Sequence, residues 1–269
     1  MGEEWQKARS RSTVSGASRI FWLVALVLGG LVGGQPAFAD EACTTRPVEI
    51  AAVESATTIR LGDGVMVQLA GIDPPSGAGD AAALRSAVAE LLAGGGISLR
   101  GEGPPDRYNL VHAMVILPDG LSLQWSVVAD GLARVRFLPG EALCGERLLV
   151  AEDGARASHL GLWAGHEYAI WRADDPSLLE QIGLYALVEG RVVSVGAGSR
   201  IVFLDFGRNF RRDFTAMVAS SDAARFSAAG KKLESLANRV IRVRGVVEEN
   251  NGPAIRVDNP DAIEVLDGD

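Results

Sequence analysis

The stretch that decides the fold is Val67-Gln68-Leu69-Ala70-Gly71-Ile72-Asp73-Pro74-Pro75, in the first third of a chain of 269 residues. Apolar and polar side chains alternate from 65 to 70, which predicts a strand with one face in a core. The loop 73–77 then halts the sheet, because proline cannot donate to a strand ladder. The same alternation predicts strands at 48–53 and 57–61, and Gly62-Asp63-Gly64 is a tight-turn signal between the last two of the three strands.

Beyond this loop, the sequence predicts one helix, more strands and two further helices. Ala and Leu recur at helical spacing over 80–92, and Gly94-Gly95-Gly96 ends that helix. Strands are predicted at 97–100, 111–117 and 133–137, with a short helix at 124–130. A longer helix is predicted from about 141 to 159.

A second strand-rich unit follows a connector at 166–183. Its predicted strands lie at 185–195, 201–206, 214–218, 239–248, 253–257 and 262–266, and one helix at 222–237 separates the third strand from the fourth. This order is typical of an oligonucleotide/oligosaccharide-binding (OB) barrel. Since the first unit also runs strands, helix, strands, we predict a mainly β fold with helices (α+β), built as two tandem OB-like barrels.

Four segments in order resemble the staphylococcal nuclease (thermonuclease) family. The first is the opening stretch, which is similar to the family signature Arg-Leu-x-Gly-Ile-Asp-x-Pro-Glu. The others are Asp106-Arg107-Tyr108, then 131–135, then 152–163 with its closing Gly161-Leu162-Trp163. The resemblance implies a nuclease-like domain at 40–165. Segments 188–192, 204–215 and 243–253 resemble a C-terminal OB-like extension on some proteobacterial members, which implies a second domain at 184–269.

The resemblance also implies which positions would carry nuclease chemistry, and most of them are changed. Family enzymes use a calcium ion held by two aspartates, a glutamate near the attacking water, and two arginines on the phosphate. These roles need carboxylate oxygens, a base and fixed cationic donors. The five positions are occupied here by Thr57, Gln68, Asp73, Ser76 and Leu110. Only Asp73 keeps the family residue, so we expect a vestigial metal position and, in Asp73, a residue that structures its own loop.

Two groups of residues are candidates for ligand binding. Arg107 and Tyr108 adjoin a lost arginine position, although packing or a place on the rim is the plainer interpretation of Tyr108. In the second unit, arginines alternate with phenylalanines around a turn, a pattern that can bind single-stranded nucleic acid by charge and stacking; the candidates are Arg208, Phe210, Arg211 and Arg212. The plainer interpretation is that the phenylalanines fill the core and the arginines pair with Asp205 and Asp213. Arg242 and Arg244 alternate with apolar residues, as on a solvated strand face. The three histidines show no metal-like spacing.

The first 39 residues have the order of a signal peptide. A basic leader precedes an apolar run of about 15 residues, which is short of the roughly 20 needed to span a bilayer. Ala37-Phe38-Ala39 before Asp40 is a small-x-small cleavage signal. This favours cleavage between Ala39 and Asp40 and export to the periplasm or the medium, over retention of a membrane anchor. The only cysteines, Cys43 and Cys144, are expected to pair in an oxidising compartment, with two free buried thiols as the alternative.

The charge of the chain argues against a polyphosphate partner for the first domain. The whole chain has 26 basic and 34 acidic side chains. Residues 40–183 hold an excess of acidic side chains and no lysine, whereas a surface for nucleic acid is normally basic.

These observations predict an exported nuclease-like protein without catalysis, which binds an envelope protein or a glycan. No cofactor is expected. The first alternative is a metal-dependent nuclease with a rebuilt site, which would need calcium. The second is binding of single-stranded nucleic acid through the C-terminal barrel. A membrane is a partner only if the leader stays uncleaved.

Overall fold

The computed structural model describes residues 43–139, 141, 143–144, 147–209 and 212–266. The predicted leader, its cleavage position at Ala39 and Asp40, and the candidates Phe210 and Arg211 lie outside the described residues. Within the described ranges, no helix is both long and apolar enough to cross a bilayer. Both sheets described below belong to one compact unit of the chain.

The first half of the chain is a sheet with three helices. In chain order, its elements are β1 Thr45–Pro47, β2 Ile50–Val53, β3 Thr58–Leu61, β4 Met66–Leu69, β5 Ile72–Asp73, α1 Ala78–Leu92, β6 Ser98–Arg100, β7 Leu110–Ile116, α2 Leu123–Ala129, β8 Arg134–Val135 and α3 Leu148–Ala157. Six strands pair in the order β1-β6-β7-β4-β3-β2, and β5 pairs separately with β8. The inward residues of β3 and β4, among them Ile59 and Val67, are fully buried with Leu84 and Val88 of α1.

The described part of the second half has as many strands as the first and less helix. Its elements are β9 Trp171–Arg172, β10 Tyr185–Arg191, β11 Ser194–Ala197, β12 Ile201–Asp205, β13 Thr215–Ala219, α4 Ala223–Ala228, β14 Val240–Glu249, β15 Pro253–Arg256 and β16 Ile263–Val265. The strands pair in the order β11-β12-β13-β15-β14-β10-β9, and β16 adds to β14. The mixed α+β class predicted from the sequence is therefore confirmed.

The two sheets follow the same strand order. In each sheet, a strand that precedes the helix pairs in parallel with a strand that follows it. These pairs are β4 with β7, on either side of α1, and β13 with β15, on either side of α4. In the first sheet, β1 and β2 are only two residues apart in sequence and lie at the two ends of the order. In the second sheet, β10 and β11 are likewise two residues apart; β11 ends the order on one side, and on the other side only β9 lies beyond β10. Val192 N–H donates to the Arg239 carbonyl at 3.0 Å, and Val193 N–H donates to the Asp205 carbonyl at 2.7 Å. Two consecutive residues, Val192 and Val193, therefore bond on opposite sides of the sheet order, to the residue before β14 and to the last residue of β12.

Three predicted elements differ from the structure. The strand predicted over 185–195 is two strands, because the chain changes partners at Val192. The helix predicted from 141 begins only at Leu148, since the preceding segment carries Cys144 at a φ of 54° and is bonded to Cys43. The helix predicted over 222–237 stops at Ala228, and Gly230, at a φ of 75°, turns the chain into the 3₁₀ turn Leu233–Leu236.

A close crossing of backbone fixes the end of α2 against the segment after α3. Gly131 and Gly161 have φ values of 70° and 50°, and Leu162 N–H donates to the Gly131 carbonyl at 2.9 Å. A Cβ atom on Gly131 would lie 2.3 Å from the carbonyl oxygen of Leu160, so only glycine fits there. Beyond this crossing, Trp163 and Tyr168 are buried with Leu187 of β10, which joins the two halves of the molecule through a small apolar cluster.

Candidate functional site

The five positions assigned by the nuclease resemblance fall into two places in the fold. Thr57 is buried before β3, and Gln68 lies on β4, where its Oε1 accepts a hydrogen bond from Thr58 Oγ1 at 3.0 Å. Leu110 begins β7, the strand next to β4. Asp73 and Ser76 instead line a cavity between the two halves of the molecule. The structure therefore brings Asp73 and Ser76 together and leaves the other three on the sheet.

Asp73 is held by two arginines. It is 5% exposed, and its Oδ2 accepts from Arg134 Nη2 at 2.7 Å while its Oδ1 accepts from Arg136 Nη1 at 3.1 Å. These bonds correct the expectation that Asp73 structures its own loop, since among the described residues its side-chain partners are the two guanidiniums. Both carboxylate oxygens are occupied and the charge is neutralised.

Strand pairing explains why the arginines reach Asp73. On β8, Val135 pairs with Ile72 and Arg134 pairs with Asp73, and Arg136 N–H donates to the Gly71 carbonyl at 3.0 Å. Side chains two residues apart on a strand project to the same face, so Arg134 and Arg136 both face the side of Asp73. Asp73, at the end of β5, is thus paired with arginines in and directly after β8, the strand after α2.

Aromatic rings surround the two guanidiniums. The Arg134 guanidinium lies 5.0 Å from the Tyr168 ring centroid and 5.1 Å from that of Tyr185, and the Arg136 guanidinium lies 5.4 Å from Tyr185. Arg134 Nη1 also donates to the Tyr185 carbonyl at 3.0 Å. Cations over ring faces are attracted by the ring quadrupole, more so where water is excluded. Arg134 is therefore fixed from several sides.

We name the space in front of these residues the seam cavity. It has a volume of about 810 Å³ and is lined by Asp73, Arg136, Tyr168, Trp171, Tyr185 and Val246, among others. Ser76 lies at its edge, where its backbone N–H donates to the Tyr168 hydroxyl oxygen at 3.2 Å. The volume is within the usual range of small-molecule sites. A smaller cavity of about 250 Å³ shares Arg136, Tyr185 and Val246.

Tyr185 contributes a neutral phenol to this site. Desolvation raises the pKa of Tyr185 far above its ordinary value, and the nearby carboxylates of Asp73 and Glu152 act in the same direction. Its hydroxyl donates to the Val135 carbonyl at 2.8 Å. Tyr185 thus stays protonated and acts as a structural hydrogen-bond donor.

An ionic network lies behind the seam cavity and joins β14 to α3. Arg244, only 2% exposed, donates through Nη2 to Glu152 Oε2 at 2.8 Å and to Glu264 Oε1 at 2.6 Å. Arg242 donates to Glu189 at 2.7 Å and to Glu264 at 3.1 Å. Desolvation is the largest influence on the pKa of Arg244 and lowers it, but the attractions to Glu152 and Glu264 and the hydrogen bond to Glu152 act together with Tyr185 in the other direction, so the pKa is raised. The prediction of a solvated face for these two arginines is wrong, because α3 covers that face.

His112 also has charged neighbours that its sequence context did not indicate. Its Nδ1 lies 2.9 Å from Glu141 Oε1 and its Nε2 lies 3.4 Å from Asp106 Oδ2. Glu141 Oε2 in turn accepts from Gly71 N–H at 3.1 Å. This carboxylate therefore fastens the segment before α3 to the end of β4. Across the described ranges, no group of three His, Cys, Asp or Glu side chains is arranged to hold a metal ion.

Arg107 and Tyr108 lie on the surface, away from the seam cavity. Tyr108 is 67% exposed, and the Arg107 guanidinium lies 4.7 Å from its ring centroid. Asp106 Oδ1 accepts from Leu110 N–H at 3.0 Å and from Tyr108 N–H at 2.8 Å. The Leu110 bond is the main reason that the pKa of Asp106 is lowered. Asn109 has a φ of 61°, a conformation that asparagine tolerates better than most residues.

The described part of the arginine and phenylalanine segment matches its plainer interpretation for the phenylalanines and Asp213, but the side-chain partners of Asp205 among the described residues are hydroxyls, not an arginine. Phe214 is fully buried, and its ring centroid lies 5.0 Å from that of Phe206. Arg212 is exposed and its Nε lies 3.2 Å from Asp213 Oδ1, while Arg208 is exposed on the same turn. Asp205 accepts from Ser194 and Thr215 hydroxyls.

The predicted disulfide is present. Cys43 and Cys144 are bonded across a sequence separation of 101 residues. The bond ties β1 to the segment that carries Glu141. The alternative of two free thiols is therefore excluded.

Sequence reasoning missed Arg136, Tyr168 and Tyr185 as site residues and used Arg134 only as a landmark. The available signal was the alternation Arg134-Val135-Arg136, which places two cations on one face of a short strand. Its partner Asp73 is remote in sequence, so the pairing needed the register of β5 against β8. Comparison with protein-family models finds no match for the chain, and comparison with curated proteins finds none either.

Proposed function

We propose that this chain is an exported protein of staphylococcal-nuclease-like fold that does not hydrolyse phosphodiesters and serves as a binding module in the cell envelope. The observation that carries the proposal is the state of Asp73. This last carboxylate of the nuclease pattern is buried and bonded through both oxygens to Arg134 and Arg136. A calcium ion would have to displace two guanidiniums to reach it, and would find one carboxylate where such sites normally offer several oxygen ligands.

The other positions give no replacement for the missing chemistry. Gln68 is hydrogen-bonded to Thr58, and Leu110 has no donor in its side chain. Hydrolysis needs fixed cationic donors where charge develops on the phosphoryl group. Arg134 and Arg136 are cations, but they are directed to Asp73 and lie in the seam cavity.

Strand order supports the fold part of the proposal. Each half has a helix between the two strands that pair in parallel, and its first strand is divided between distant places in the order: β1 and β2 at the two ends of the first sheet, and β11 at one end of the second with β10 followed only by β9 at the other. If that first strand runs on from one end to the other, each sheet closes into a five-stranded OB-like barrel. We therefore propose two tandem OB-like barrels, with a nuclease-like domain at 40–165, a connector at 166–183 and a second barrel at 184–269.

Binding in the envelope is supported by the disulfide and by the seam cavity. A disulfide persists where the compartment is oxidising, which agrees with the signal-peptide pattern of the leader. The seam cavity offers aromatic walls and a few directed polar groups, the usual composition of a ligand site. An envelope protein or a glycan is the partner class we propose.

A nuclease assay on the purified protein tests the proposal. With calcium, magnesium or manganese, we expect no cleavage of DNA or RNA above the background of the same reaction in EDTA. A melting curve on the same sample verifies that the protein is folded. Metal-dependent cleavage that is lost in Asp73→Ala but kept in Asp63→Ala would overturn the proposal and favour a rebuilt nuclease site.

Single-strand binding is separated from this proposal by its salt dependence. Contacts to phosphates weaken steeply as salt rises. Salt-sensitive binding of a single-stranded oligonucleotide that is lost in Arg208→Gln would instead favour the second barrel as a nucleic-acid module. We expect no such binding, because Phe214 is fully buried and packs against Phe206, so its ring is not available for stacking on a base.

A further inference from the structure

We propose that the seam cavity binds a small cyclic monocarboxylate, whose carboxylate is received by the guanidinium of Arg136. This inference rests on the proposed function, because it gives a ligand class to the binding site that replaces nuclease chemistry. It is carried by the charges and rings around Asp73.

The charges of the side chains at the cavity floor do not cancel. Two guanidiniums, Arg134 and Arg136, face one carboxylate, Asp73. Glu167 and His166 also line the cavity, but both are exposed at its rim, where water screens their charges. Among the side chains that line the floor, one positive charge is therefore in excess. In the network behind the floor, Arg156, Arg242 and Arg244 face Glu152, Asp153, Glu189 and Glu264, so the positive charge that an anion can neutralise is local to Arg136.

The two arginines differ in how much of each is available. The Arg134 side chain is 10% exposed and is engaged with Asp73, the Tyr185 carbonyl and two rings. The Arg136 side chain is 34% exposed, and the only hydrogen bond recorded for it within the described ranges uses Nη1. Nε and Nη2 of Arg136 are therefore the donors that a ligand can reach. A guanidinium edge matches the two oxygens of a carboxylate.

Charge matching favours a monocarboxylate over a phosphate. A monocarboxylate brings one negative charge and neutralises the excess at the floor. A phosphate monoester carries about −1.5 to −2 charges at neutral pH. It would leave uncompensated negative charge close to Asp73, in a place where water is partly excluded and such charge is costly.

The walls favour a ring. Tyr168, Trp171 and Tyr185 line the cavity, and Leu184 and Val246, which are 52% and 42% exposed, form part of its apolar border. Flat apolar walls gain most from a ligand with a flat or ring-shaped body. The volume of about 810 Å³ leaves room for such a body beside the carboxylate.

The test is a titration of the whole folded protein by isothermal calorimetry, with benzoate and glucuronate as probes. Cyclohexanol, glucose and inorganic phosphate are the matched compounds that lack the carboxylate or replace it. We expect at least one of the two carboxylates to bind at millimolar concentration or tighter. Binding of benzoate would indicate that the ring of the natural ligand is apolar, and binding of glucuronate would indicate that it is hydroxylated. The absence of binding by both carboxylates, or equal binding by phosphate, overturns the proposal.

Arg136→Gln is the variant that locates the site. We expect it to weaken carboxylate binding at least about tenfold, which corresponds to about 1.4 kcal/mol. The control is Arg60→Gln, an exposed arginine that is also paired with a carboxylate, Glu54, and should leave binding unchanged. If Arg136→Gln does not fold, Arg136→Lys keeps the charge but loses the planar edge, and should still weaken binding. Unchanged binding in the folded variant overturns the assignment.

Asp73→Asn gives a second, opposite readout. Removing the internal carboxylate frees a donor of Arg136 and raises the positive charge of the floor. We expect tighter benzoate or glucuronate binding and the appearance of phosphate binding. Weaker carboxylate binding in folded Asp73→Asn would overturn the proposal. Nuclease activity is measured separately, so failure of the ligand assignment leaves the non-catalytic function standing, and the reverse also holds.

Discussion

At the scale of single residues, the chemistry of Asp73 is decided by what lies opposite it. A carboxylate with free oxygens can bind a cation, but one whose oxygens accept from two guanidiniums is an ion-pair partner. Arg134 and Arg136 make the second case, and both reach Asp73 because β8 pairs with β5. The sequence alone predicted that Asp73 would be a poor calcium site from the losses at the other positions. It did not predict the ion pairs, since they depend on strand register.

The stability of Asp73 variants tests this pairing. Asp73→Ala leaves the 10% exposed side chain of Arg134 unpaired, and breaking a buried pair by removing one partner costs about 3–5 kcal/mol. For Asp73→Ala we expect a loss of about 3 kcal/mol in the free energy of unfolding, at the low end of this range, because Arg136 is partly in solvent and water screens its charge. The measurement is the free energy of unfolding in urea.

Asp174→Ala is the matched control. Asp174 is also bonded to an arginine, Arg172, but the two side chains are 70% and 79% exposed. Exposed ion pairs contribute little to stability, so this variant should unfold like the unaltered protein. A similar loss in both variants would show that burial of Asp73 is not what makes its pairing important.

At the scale of elements, alternation predicts that a strand has two faces but not what covers each face. The pattern of β14 correctly predicted that Ile241 and Val243 face one core. It failed for Arg242 and Arg244, because α3 brings Glu152 and Asp153 to the other face from a distant part of the sequence. A charged face of a strand can thus be an internal interface when an opposing charge is supplied by another element.

The contact of β14 with α3 has a direct test in Arg244→Ala. This change leaves Glu152, fully buried, without its bidentate partner, and we expect a loss of about 3–5 kcal/mol in the free energy of unfolding. The control is Arg256→Ala on β15, which removes an exposed arginine that lies 3.6 Å from Glu248. This variant should change the free energy of unfolding by less than about 0.5 kcal/mol.

A double change separates the lost charge pair from lost packing. Replacing both Arg244 and Glu152 by methionine removes both charges and fills the space with apolar side chains. Part of the stability that Arg244→Ala loses should therefore return. In Arg244→Ala, Glu152 keeps only the longer contact to Arg156 Nη1, at 3.8 Å. If the double variant is less stable than Arg244→Ala, the network stabilises through its charges, and our account of a buried Glu152 that has lost its main partner is wrong.

Element boundaries show where local sequence is a sufficient guide. The helix α1 was predicted within two residues of its start, since spacing of Ala and Leu and a following run of glycines are local signals. The helices predicted at 141–159 and 222–237 were too long. In the first, the disulfide and Glu141 hold the leading residues to the sheet. In the second, Gly230 breaks a sequence whose composition otherwise favours a helix.

At the scale of the whole molecule, the repetition of one strand order in both halves was foreseeable and the cavity between them was not. Order of strands and helices follows from patterns within each half. The seam cavity needs Tyr168 and Tyr185, which come from the segment after α3 and from β10, to meet Asp73 from the first half. Such a meeting depends on how the halves pack, through Trp163 and Leu187, and no local pattern encodes it.

The disulfide makes a prediction about the whole chain. It closes a span of 101 residues, so its main effect is to restrict the unfolded chain, and loss of a native disulfide of this kind costs about 2–5 kcal/mol. Replacing both Cys43 and Cys144 by serine should lower the free energy of unfolding by that amount. It should also raise the urea m-value, because the unfolded chain without the bond exposes more surface. The single variant Cys43→Ser should match the double variant, and a reductant should destabilise the unaltered protein while leaving the double variant unchanged. An unchanged m-value with lower stability would mean that the bond acts on the folded state instead, by holding Glu141 against His112 and the end of β4.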